Sequence, residues 1–110
     1  MTTVTIYKSD SDNYKGFTCF GHAGYAKRGK DDIVCSAISV LTTNTINSME
    51  LLAKENFDVQ VNEETGFLDC KFDHWMNEQS KLLMESMILG LESIAEQYGK
   101  KYIKLKFEEV

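Results

Sequence analysis

Cys35 and His22 are the residues of this 110-residue chain whose types and spacing invite chemistry. The chain holds three cysteines and two histidines, and one of each lies in the stretch GHAGYAKRGKDDIVCSAIS, residues 21–39. His22 is expected at the end of a strand and Cys35 in the first turn of a helix. A thiol in a first turn faces unpaired backbone N–H groups and the positive end of the helix dipole, which favour thiolate. An imidazole beside it can take up and return a proton, and the same N–H groups can hold an oxyanion. Ser39 follows Cys35 by one helical turn and can donate a hydrogen bond into such a site; Thr42 and Ile46 continue that side of the helix. Asp32 can either cap the helix or orient His22, and Asp31 stands beside it as an alternative. Gly24, Tyr25, Ala26, Lys27, Arg28, Gly29 and Lys30 form a glycine-bearing loop able to close over a peptide. The ordinary reading is that Cys35 packs in a core and His22 is a surface hydrogen-bonder.

A metal reading draws on Cys19, His22, Cys35, Cys70 and His74. Cys19 and His22, three apart on a strand, point to opposite faces, and no second matching pair follows. No metal and no cofactor are expected. Cys19 and Cys70 read as inward-facing strand residues, and His74 as a polar residue near a helix start. A redox role for Cys35 would need a second thiol close to it, and spacing alone does not say whether Cys19 or Cys70 comes near. Lys27, Arg28 and Lys30 read as solvated charges. Trp75, Met76, Met84 and Met87 read as core or subunit interface.

The elements that must position these residues follow from periodicity. Val4 and Ile6 alternate in a first strand, SDSDN is a turn, and YKGFTCFGHA is its hairpin partner. From about 32 to 54, Val34, Ile38, Leu41, Thr45, Met49 and Leu52 recur at helical steps. Val40 and Leu51 lie off that stripe, so a second helix or a second subunit can cover this helix on another side. Phe57, Val59 and Val61 alternate, a turn ends at Gly66, and Leu68, Cys70 and Phe72 alternate back. A second helix runs from about 75 to 98 and stops at Gly99. Ile103, Leu105 and Phe107 mark a last strand. The order ββαββαβ implies an α/β (α+β) fold: a two-layer sandwich, with a mostly antiparallel sheet and both helices on one face. Residues 1–110 read as a single domain.

Hydrophobic residues make up 43% of the chain, as folding requires. A net charge of −5 argues against nucleic-acid binding and is compatible with a basic partner. No apolar run is long enough to span a membrane, so the chain reads as cytoplasmic, its thiols reduced.

Gly21, His22 and Ala23, followed by Asp32, Ile33, Val34 and Cys35 and then Ser39, resemble the signature of the ribosomal-processing cysteine protease family, Prp. Ser36 stands where alanine is common in that pattern, and Asp31 doubles the acidic position; Asp32 keeps the spacing to the cysteine. The resemblance covers the whole chain. It implies a cysteine endopeptidase with Cys35 as nucleophile and His22 as general base and acid, supported by Gly21, Asp32 and Ser39. It implies a loop from Gly24 to Lys30 that orders over substrate, and a homodimer. The implied substrate is the N-terminal extension of a large-subunit ribosomal protein, the twenty-seventh of the L series, cut after an aromatic pair. Phe17, Phe20 and Tyr25 are the aromatic residues near the motif. The competing reading is a non-catalytic, ribosome-associated interaction module in which His22 and Cys35 are structural.

Overall fold

The computed structural model describes residues 1–9, 13–21, 30–62 and 64–110, the first three helical residues as backbone only. The elements are β1 (Thr2–Lys8), β2 (Tyr14–Phe20), α1 (Lys30–Leu51), β3 (Asp58–Asn62), β4 (Phe67–Lys71), α2 (Glu78–Tyr98) and β5 (Ile103–Glu109). The expected ββαββαβ order holds.

The sheet runs β3-β4-β2-β1-β5. Three pairings are antiparallel, and β5 returns parallel to β1, so the sheet is mixed. Because side chains alternate along a strand, the register sorts the faces. Val61, Leu68, Cys19, Val4 and Leu105 form one cross-strand row, and Val59, Cys70, Phe17, Ile6 and Phe107 the next. Both rows are buried at their centres, where Val4, Ile6, Phe17 and Cys70 meet Val34, Ile38, Met49, Met84, Met87 and Leu91 of the two helices. Both helices therefore cover the same face. The rows emerge from that cover at β3, whose five residues are all exposed.

Thr42 and Thr45 fall on the buried stripe of α1, where an unpaired hydroxyl would be costly. Each donates back into its own helix, Thr42 to the Ile38 carbonyl at 2.9 Å and Thr45 to that of Leu41 at 2.7 Å. That is how a threonine-rich helix is held by packing. The helices approach closely at Gly90, where a Cβ would come within 2.9 Å of a Leu41 methyl.

Helix α1 starts at Lys30, earlier than expected, which places Asp31 and Asp32 inside it rather than at its cap. It also stops sooner, at Leu51. Lys54 then turns the chain with φ 59°, and Leu52 is exposed rather than part of the stripe. Helix α2 begins at Glu78 behind the cap Asn77, whose side chain accepts from the Ser80 N–H at 2.8 Å. Trp75 precedes it and is exposed beneath the Lys15 ammonium, 5.0 Å from the ring centroid, so it fills no core; Met76, Met84 and Met87 do. Gly99 ends α2 as expected, its N–H bonded to the Ala95 carbonyl.

Candidate active site

Cys35 is the sixth residue of α1 and sits in its second turn, one turn deeper than expected. The unpaired N–H groups of a helix belong to its first four residues, here Lys30 to Ile33. The backbone at Cys35 is therefore inside the hydrogen-bonded helix, and an oxyanion beside its sulfur must look elsewhere for a donor. Ser39, one turn on and exposed, faces the same space.

That space is an open cleft of about 360 Å³ between α1 and one end of the sheet. Cys35, Ile38, Ser39, Thr42 and Thr43 form its helical wall. Thr2, Cys19 and Leu68 come from the helix-facing side of the strands, and Gly21 from the end of β2. The β3–β4 hairpin supplies the far side through Val61, Asn62, Gly66 and Phe67. The Gly21 N–H donates to the Gly66 carbonyl at 3.2 Å, tying the end of β2 to that hairpin. Gly21 has φ 104°, and a Cβ there would lie 2.6 Å from the Met1 carbonyl oxygen, so this corner is shaped for glycine.

The three thiols are not equivalent. Cys70 is fully buried and burial pushes it up to about 12, with Asp69 adding to the effect. Cys19, on the cleft wall but 9% exposed, is pushed to about 11, first by burial and then by the charge of Cys35. Cys35 alone is half-buried and open to the cleft. The hydroxyl of Thr2, also against the cleft, has no hydrogen-bond partner among the described residues.

Of the other expected site residues, Gly21 and Ser39 share the cleft with Cys35. His22, Gly24, Tyr25, Ala26, Lys27, Arg28 and Gly29 lie outside the described residues, as do the side chains of Lys30, Asp31 and Asp32. Phe17 is wholly buried in the core and cannot contact a peptide. Phe20 lies on the opposite face of the sheet, edge-on to Phe67 at 6.1 Å. No local pattern in the sequence marks the hairpin as a wall of the cleft. The Gly66 turn was legible, but not the register that sets it opposite Cys35.

His74 makes a different kind of site. Its Nε2 is 2.9 Å from Glu55 and its Nδ1 is 2.8 Å from Asp73. The other Glu55 oxygen accepts from the Asn77 N–H at 2.6 Å. Burial works to raise the Glu55 carboxyl, but the Asn77 N–H and the imidazole together hold it below its usual value. The two carboxylates raise His74, Glu55 contributing most. This cluster fastens the end of α1 to the start of α2. Among the described residues no group of three or more His, Cys, Asp or Glu is placed to hold a metal.

Comparison with known proteins bears on the cleft. Residues 1–104 match the family model described as cysteine protease Prp. The chain is 28% identical over 102 residues to the ribosomal processing cysteine protease Prp of Bacillus subtilis, covering 89% of this chain and 90% of that one. It is similar to the crystal structure of an essential ribosomal processing protease Prp from S. aureus in complex with a substrate peptide. The TM-score there is 0.88 at 25% identity, covering 98% of this chain and all of the other. The same protease with a covalently linked product peptide gives 0.87 at 26% identity, with the same coverage. One reachable thiol in a cleft, on a fold shared end to end with these enzymes, identifies this chain as a member of the cysteine protease Prp family.

Proposed function

We propose that this protein is an endopeptidase that removes the N-terminal extension of a large-subunit ribosomal protein, the twenty-seventh of the L series, cutting after an aromatic pair. One observation carries the reading: Cys35 is the one of three cysteines that is not buried, it lines the cleft, and Gly21 of that cleft is directly followed in the chain by His22. The Cys35 sulfur attacks the scissile carbonyl and His22 takes the thiol proton. The tetrahedral oxyanion receives a hydrogen bond from the Ser39 hydroxyl. Collapse expels the amine, protonated by His22, and leaves an acyl group on Cys35. Water, deprotonated by His22, then hydrolyses the thioester and frees the sulfur. Asp32 supports the imidazole, and the loop from Gly24 to Lys30 closes over the peptide.

The relatives' names and the covalent product complex of the S. aureus enzyme support this reading. A net charge of −5 favours encounter with a basic ribosomal protein. The protein acts in the cytoplasm as a homodimer, with exposed Val40, Leu51 and Leu52 of α1 as the apolar surface in favour of self-association.

The test is mass spectrometry of the ribosomal protein with its extension, incubated with the wild type and with Cys35→Ala. A single cut after the aromatic pair with the wild type, and none with the variant, is expected. Binding without a cut by either protein would refute the reading.

A further inference from the structure

The catalytic scheme leaves Cys19 unused, although it lines the same cleft as Cys35. Its position follows from the register: it lies in the helix-facing row between Val4 and Leu68, so its sulfur rises from the strand wall toward α1. Cys35 descends from the helix wall opposite. Cys70 lies one row further along the sheet, fully buried and outside the cleft. Reagents in the cleft thus meet Cys35 first, with Cys19 behind it and no third thiol at hand.

We propose that Cys19 is a resolving thiol for Cys35, and that a hydroperoxide converts the two into a disulfide that reversibly shuts the cleft. In the first step the Cys35 thiolate attacks the peroxide; the O–O bond breaks, sulfur gains a hydroxyl, and the other oxygen leaves and is protonated. In the second the Cys19 sulfur attacks the Cys35 sulfur; the S–S bond forms, the S–O bond breaks, and hydroxide leaves with the Cys19 proton as water. Two thiols and one hydroperoxide yield one disulfide, one alcohol (or water) and one water. A disulfide keeps its Cα atoms about 4.4–6.8 Å apart, so it pins α1 against β2 with no room for a peptide between them. Burial of Cys19 keeps it protonated at neutral pH, so the second step is slow there and accelerates about tenfold per pH unit below about 11.

The effect on activity rests on Cys35 being the nucleophile; the pairing itself does not. The full-length protein is treated with hydrogen peroxide, alkylated and digested with trypsin without reductant. Trypsin places the three cysteines in separate peptides, residues 16–27, 31–54 and 55–71. The expected product links 16–27 to 31–54 with loss of two hydrogens. Peptidase activity falls in step with it and returns with dithiothreitol. In Cys19→Ala, Cys35 instead gains two oxygens and activity does not return. A link through Cys70, or over-oxidised Cys35 with no link in the wild type, would overturn the pairing and leave the catalytic reading standing. A complete Cys19–Cys35 link with full activity would overturn the switch and the nucleophile assignment together.

Discussion

Gly21 and Gly99 offer a controlled pair. Their φ angles are 104° and 105°, a region that L side chains rarely adopt, so Gly→Ala at either costs about 1–3 kcal/mol in backbone strain. Alanine narrows the unfolded ensemble by the same amount at both positions, and that contribution cancels in the comparison. They differ in space. A Cβ at Gly99 meets nothing within 4 Å, whereas at Gly21 it lies 2.6 Å from the Met1 carbonyl oxygen, a backbone atom that must move. Forcing such a contact apart adds about 1–3 kcal/mol. With each kcal/mol shifting Tm by about 4–8 °C in a domain near this size, Gly21→Ala should melt at least about 4 °C below Gly99→Ala. The displaced strand end carries the residue just before His22, and an error of about 1 Å at a catalytic group costs roughly a hundredfold in rate. Thermal unfolding and steady-state peptide cleavage, on proteins whose mass includes Met1, report both effects. Gly21→Ala should lose stability and kcat together, and Gly99→Ala stability alone. Equal melting temperatures with unchanged kcat in both would refute the argument that this corner positions the site.

The His74 cluster predicts a pH-dependent clamp. A neutral imidazole carries one N–H and cannot donate to Glu55 and Asp73 at once, so the pairing needs the imidazolium. Because His74 is raised from 6.5, its contribution is full below that pH and fades as pH rises through the higher folded value. Glu55 is lowered from 4.5, so its share is present above that pH and fades as pH falls through the lower folded value. The Tm difference between wild type and His74→Ala should therefore peak between about pH 4.5 and 6.5 and shrink above it; a flat difference would contradict the clamp. Asn77→Ala removes the cap of α2 and its bond to the Ala53 carbonyl, and should cost about 1–2 kcal/mol in denaturant unfolding. Met84→Ala opens a cavity at a fully buried position and should cost about 2–5 kcal/mol, with kcat preserved where the protein is folded. Ser39→Ala should lower kcat about a hundredfold with KM little changed, the signature of a donor used only in the transition state.

Much of this architecture can be read from alternation. Val4 and Ile6 face the helices with Phe17 and Cys19, and the steps from Val34 to Met49 trace the buried stripe of α1. The helix start was harder, because Asp31 and Asp32 resemble caps yet lie within the first turn, where acidic side chains also suit the dipole. That shift moved Cys35 from the first turn to the second and changed which group can hold an oxyanion. The motif brought Gly21, Cys35 and Ser39 to one cleft. The opposite wall, Val61 to Leu68, depends on β4 pairing with β2, a long-range register that no local pattern encodes. The nearness of Cys19 to Cys35 and the hold of His74 on Glu55 are likewise products of tertiary packing.

The central claim is that Cys35 is the nucleophile. It is tested most directly by acid-quenching the protein during turnover of an ester peptide with an aromatic pair before the scissile bond, then mapping the adduct. The account predicts one acyl group per chain, on residues 31–54 at Cys35, and none in Cys35→Ala. An adduct on Cys19 or Cys70, or turnover retained by Cys35→Ala, would contradict it.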